Sequence, residues 1–194
     1  MFPVGGVGVM LVLIAAAGVI SGAVAAGLAR RFGWPWSALA GLLLWSVAVI
    51  GVLTLIPANG APGIVSAEGR LTTCSWDIGG PAPDGFWILP GGQRMLNALV
   101  FVPSGVLLVL VAARWRSAWV TVPLGLVALA AYSLLIEYTQ LAAARIDRAC
   151  DVTDIIDNVT GAVIGVLIGI ALLPLVRPWR FPAPMTTTVG VGRY

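Results

Sequence analysis

Five stretches of about 20 apolar residues, each long enough to cross roughly 30 Å of hydrocarbon, dictate what this chain can fold into. They run roughly from 5 to 28, 37 to 56, 95 to 113, 119 to 143 and 155 to 176. Backbone polar groups cannot go unpaired in lipid, and the stretches lack strict apolar/polar alternation, so each is expected to be an α-helix. Composition agrees: of 194 residues, 59% are hydrophobic and only 10% charged, with a mean hydropathy of +1.00. Soluble domains carry roughly 25% charged residues. The expectation is an all-α integral membrane protein: a single domain over residues 1 to 178, built as a bundle of five transmembrane helices, then a disordered tail over 179 to 194.

The charges orient the bundle. No basic segment precedes the first run and Arg30 and Arg31 follow it, the reverse of a secretory signal, so the run is expected to stay attached with its N-terminus outside. Arg30, Arg31, Arg114, Arg116, Arg177, Arg180 and Arg193 then fall on the cytoplasmic side with the C-terminus, while Arg70, Arg94, Arg145 and Arg148 fall outside. That bias follows the positive-inside rule. Glu68, Asp77, Asp84, Asp147, Asp151, Asp154 and Asp157 lie at or beyond the outer face, and Glu137 in the outer half of the fourth span. Trp34, Trp36, Trp115, Trp119 and Trp179 are placed at cytoplasmic span ends, where an amphipathic ring favours the headgroup layer. Residues 57 to 94, rich in Gly and Pro, form one long external loop with a short segment or two lying on the membrane. Cys74 and Cys150 share that outer compartment, which permits a disulfide. Sequence supplies no Cα separation, so a bridge and two free thiols stay equally open.

Missing residue types exclude mechanisms. Without histidine or lysine there is no imidazole base, Schiff-base amine or phosphate-cradling P-loop lysine, and any catalysis falls to carboxylates. The net charge of +3 does not point to nucleic acid, because the arginines scatter as pairs at span ends instead of forming one basic face. No cofactor is expected.

Polar residues line up near the outer ends of three spans. Glu137, Gln140 and Ala144 recur at i, i+3 and i+7, with Arg148 one turn further if that helix persists. Asp151, Asp154, Asn158, Gly161 and Gly165 alternate spacings of three and four, so polar groups lead into small residues on a side that should pack closely against a neighbour. Asn97 sits one turn before Phe101, and Pro103 withdraws an amide from the Leu99 carbonyl, which then faces the same region. An intramembrane carboxylate points to a functional site with a partner to be named. For Glu137 that partner is Arg148, or Arg145 if the helix ends early. The alternatives are structural: Asp151 or Thr153 caps the fifth helix, Asp154 and Asp157 meet its dipole in the first turn, and Asn97, Gln140 and Asn158 glue helices together.

Glu137 and Gln140, then Arg148, Asp151, Asp154, Asn158 and Gly161, preceded by Asn97, Phe101, Pro103 and Gly105, resemble in identity and spacing the VanZ-like family of small bacterial membrane proteins. The match covers about residues 95 to 176. Two features depart from it: Ala149 and Cys150 where a small polar residue is common before the first aspartate, and the loop with Cys74. The resemblance implies a multi-pass protein of the bacterial cytoplasmic membrane linked to glycopeptide resistance, notably teicoplanin, and attaches no enzymatic activity.

Three functions compete. In the first, an outward pocket binds a membrane lipid headgroup or a lipid-linked cell-wall precursor: Arg148 clamps a phosphate or carboxylate, Asn97, Gln140 and Asn158 orient neutral groups, and Glu137, Asp151 and Asp154 hold the arginine or contact a sugar or ammonium group. In the second, a membrane-embedded hydrolase or transferase acts on a lipid-linked substrate, with Glu137 as general base or with Asp151 and Asp154 gathering a divalent cation; no metal is otherwise expected. The third, an ion path, is disfavoured by apolar inner halves of the spans.

Overall fold

The computed structural model describes residues 5–56, 73–76, 92–143 and 150–181; most of the loop expected over 57 to 94, and Arg145, Asp147 and Arg148, lie outside the described residues. Five helices follow in order: α1 (Val7–Phe32), α2 (Trp34–Leu55), α3 (Gln93–Ala112), α4 (Ala118–Ala143) and α5 (Val152–Val176). Each is long and apolar enough to cross a membrane. Among the described residues the only extended pairing is a single parallel bridge between Ser75 and Asp151. The apolar runs locate every helix; at α5 the run misses the polar first turn, and the helix begins at Val152 instead of 155. Within the stretch where a tail is expected from 179, Pro178–Arg180 form a 3-10 turn with Pro178 fully buried, and residues from 182 lie outside the described residues.

One residue, Gly33, turns α1 back along α2. Its φ of 84° lies in the left-handed region that glycine enters without a Cβ clash. Small residues set the approach of this hairpin, since a Cβ on Gly41 would stand 2.8 Å from that of Ala25.

The most extensive packing is between α3 and α5. A Cβ on Gly161 would strike the Ala98 carbonyl, one on Gly165 the Val102 carbonyl, and one on Gly169 would stand 2.9 Å from the Val106 carbonyl. The same separation of 63 residues joins Arg94 to Asp157. The two helices therefore run parallel in one register, backbone against backbone, as the spacing of Gly161 and Gly165 led us to expect of some neighbour. Phe101, Ile50, Leu129, Ile136 and Ala162 fill the core where α2, α3, α4 and α5 meet.

Hydrogen bonds tie the start of α3 to α5 and the end of α2 to α4, so one end of the bundle gathers the N-termini of α3 and α5 and the C-termini of α2 and α4. At the opposite end lie Arg114, Arg116, Arg177 and Arg180 with a cluster of Phe32, Trp36 and Trp115, ring centroids 4.8 and 4.9 Å apart around Trp36. Trp36 lies in the first turn of α2, at a span end as expected, but its ring is turned inward: it is 8% exposed, and its indole N–H donates to the Val111 carbonyl at 3.0 Å. Packing against two aromatic rings with a satisfied N–H removes its reason to face the interface.

Candidate functional site

The head of α5 is fastened from three sides. Asp151 is its cap, with Oδ1 accepting from the Thr153 amide at 2.8 Å, and its carbonyl accepts from the Asp154 amide at 3.1 Å. The Val152 amide donates to the Ser75 carbonyl at 3.1 Å, while the Ser75 amide donates to the Cys150 carbonyl at 2.8 Å. The first amides of the helix, which have no acceptor within it, are thereby satisfied. Cys74 and Cys150 are joined in a disulfide with Cα atoms 4.6 Å apart, tying residues 73–76 to this point.

Glu137, only 3% exposed on α4, reaches the same place: Oε2 accepts from the Asp151 backbone N–H at 3.2 Å. The arginine partners expected for Glu137, Arg148 or Arg145, lie outside the described residues. The contact uses the main chain of Asp151, which no side-chain pattern could reveal.

One and a half turns along α5, Asp157 accepts two hydrogen bonds from Arg94, Nε to Oδ2 at 2.8 Å and Nη2 to Oδ1 at 2.9 Å. The pair is 24% and 9% exposed. The structural alternative for Asp157 put it against the helix dipole in the first turn; α5 starts at Val152, so Asp157 falls in the second turn and bonds Arg94 of α3. Arg94 and Asp157 were outside the expected site. Their signal was present as Asp157, Gly161, Gly165 and Gly169 at a constant spacing of four, which places Asp157 on the face buried against α3.

Deeper, Asn158 Nδ2 donates to Ser133 Oγ at 2.9 Å, and both residues are buried. Gln140, 2% exposed, donates from Nε2 to the Thr54 carbonyl at 2.9 Å. Thr54 lies in the last turn of α2, where carbonyls lack a helical donor. Asn97 shares the inward side of α3 with Phe101, which is 1% exposed. Its Nδ2 and the Oε1 of Gln140 are buried atoms without a hydrogen-bond partner among the described residues. Asp154 is half-buried in the first turn of α5. Pro103 and Leu99 are exposed, so the carbonyl that the proline frees lies on the outer face of α3 and adds nothing to this cluster.

Asn97, Glu137, Gln140, Asp151 and Asn158 are thus distributed over α3, α4 and α5 at one end of the bundle, with the Thr54 carbonyl of α2 completing the set. Glu137 and Asp151 touch directly; Gln140 and Asn158 are held by Thr54 and Ser133. Among the described residues no three thiol or carboxylate side chains gather as a metal-binding group.

No curated protein and no solved structure matches the chain. A family model described as VanZ/LLP1 matches residues 34–174, spanning α2 to α5 and every described polar residue of this cluster. The cluster therefore lies within the matched region, and the chain belongs to the VanZ-like family.

Proposed function

We propose that this VanZ-like membrane protein works in the bacterial cell envelope, with its polar end facing the exterior and binding a lipid headgroup or a lipid-linked cell-wall precursor. Through that ligand it bears on glycopeptide resistance, teicoplanin in particular, as the family resemblance implies. The observation that carries the reading is the surplus at this end: after the internal bonds are made, Asn97 Nδ2 and Gln140 Oε1 remain buried and unpartnered among the described residues. Helix caps and interhelical glue use up polar groups, whereas a binding site keeps some for its ligand.

Two observations support the outward orientation. The arginines of the opposite end follow the positive-inside rule, and a disulfide persists in an oxidising compartment. Asn158 and Gln140 orient hydrogen-bonding groups of the ligand, Arg148 in the sequence after α4 adds a positive charge for its phosphate or carboxylate, and Glu137, Asp151 and Asp154 contact its donors.

The test is lipid extraction from purified protein. A discrete lipid or precursor, retained by the wild type and depleted in Arg148→Ala, is expected. Graded loss of resistance across Arg148→Ala, Gln140→Met and Asp154→Asn is expected beside it. Wild-type protein carrying only the bulk lipid mixture contradicts the reading. Abolition of function by Glu137→Gln alone, in folded protein, turns it toward the membrane-embedded hydrolase or transferase.

A further inference from the structure

The polar groups at this end are ordered by depth as well as gathered. Asp157 lies six residues into the bundle from Asp151, about 9 Å at the helical rise, and holds Arg94 at that level. Asn97 is three residues further in along α3, about 4.5 Å deeper. Gln140 lies toward the opening: it is nearly one turn beyond Glu137, which already reaches the Asp151 amide at the head of α5. From the bundle interior toward the polar end the order is Asn97, Arg94, Gln140.

Each level offers a different chemistry. Asn97 Nδ2 is a buried donor without a partner among the described residues. Arg94 spends two of its N–H groups on Asp157 and keeps three, with its side chain 24% exposed. Gln140 Oε1 is an acceptor, its identity fixed because Nε2 must face the Thr54 carbonyl. Glu137, nearly one turn back on the same helix, brings its carboxylate to the Asp151 amide. Donor, cation, acceptors is the complement of a membrane lipid read from its tails outward: an ester carbonyl, a phosphodiester, then a headgroup. The last match holds only if that headgroup carries hydrogen-bond donors.

We infer that the ligand is a phosphodiester whose outer substituent bears N–H or O–H donors, with its phosphate on the free edge of the Arg94 guanidinium and its donors on Gln140 Oε1. This rests on the reading of the polar end as a headgroup site. A quaternary ammonium, which has the same charge but no donor, leaves Gln140 Oε1 buried and unpaired, and the site discriminates against it for that reason.

The test is competition among phosphatidylethanolamine and its mono-, di- and trimethylated derivatives for the full-length protein in detergent, read by native mass spectrometry. Binding is expected to persist while one N–H remains and to fall about tenfold at the trimethylated lipid. Gln140→Met, checked for unchanged thermal unfolding, should flatten the series to within about twofold. The wild-type series needs no variant and decides the matter if that substitution unfolds the protein. Equal binding across the wild-type series overturns this inference and leaves a headgroup site standing if Arg94→Gln still weakens every lipid. Retention of no lipid at all overturns both. Soluble glycerophosphoethanolamine separates the sources: competition by it assigns the same chemistry to a free phosphodiester, and failure to compete assigns it to the lipid.

Discussion

Arg94 and Asp157 meet across 63 residues of sequence through two hydrogen bonds of 2.8 and 2.9 Å, on the rung of the α3–α5 register directly above the one where Gly161 presses on Ala98. The ion pair and the glycine contacts therefore fasten the same two helices, one by charge at the mouth, the other by close approach below. Removing one partner leaves a poorly hydrated charge behind. Arg94→Leu and Asp157→Leu should each cost about 2 kcal/mol, less than a fully buried pair because Arg94 is partly hydrated. The double variant should recover more than half of that loss, which a double-mutant cycle on reversible unfolding in detergent measures.

Below the ion pair, close approach leaves no room for a side chain. Gly165→Ala sets a methyl group against the Val102 carbonyl and 2.9 Å from the Gly105 Cα. Neither backbone can yield without separating the helices, so a loss of about 1–3 kcal/mol is expected. Gly22→Ala, where no atom lies within 4 Å, is the matched control and should leave unfolding unchanged or slightly raise stability through helix propensity.

The buried carboxylate of Glu137 separates hydrogen bonding from charge. Glu137→Gln retains an oxygen that accepts from the Asp151 amide, whereas Glu137→Leu strands that amide. The leucine variant should lose about 1–3 kcal/mol and the glutamine variant clearly less. Hydrogen exchange at Asp151 should quicken in the leucine variant before it quickens elsewhere in α5.

Reduction of the Cys74–Cys150 bridge should act locally. A chain-entropy estimate for closing a loop of 76 residues gives about 4.5 kcal/mol. Helices already inserted in a bilayer restrict that loop, so the measured loss should be well under that figure. Exchange at Val152, whose amide donates to Ser75, should rise on reduction, while the Gly165 region of α5 stays protected.

The helices were legible in sequence because lipid forces every apolar run of this length into one conformation. The closeness of Gly161 and Gly165 to a neighbour was legible for a related reason, since glycine in a span has few other uses. What sequence could not supply were relations between distant segments. Arg94 reads as an isolated outer arginine until the α3–α5 register is known, and Asp157 reads as a dipole partner until the start of α5 is fixed. The Glu137 contact runs to a backbone amide, invisible in any side-chain pattern. The cysteine bridge depends on a Cα separation that only the fold provides. Arg148, prominent in the motif, lies outside the described residues.

The most direct test of a shared ligand at the polar end is photocrosslinking in native membranes. A diazirine-bearing side chain is placed in turn at Asn97, Gln140 and Asn158, and at Leu167, which is 62% exposed on the lipid-facing side of α5. The adducts are then identified by mass spectrometry. The three polar positions should capture one and the same phosphodiester species, enriched over the mixture captured at Leu167. Three unrelated adduct profiles, or profiles matching that of Leu167, would contradict a common site.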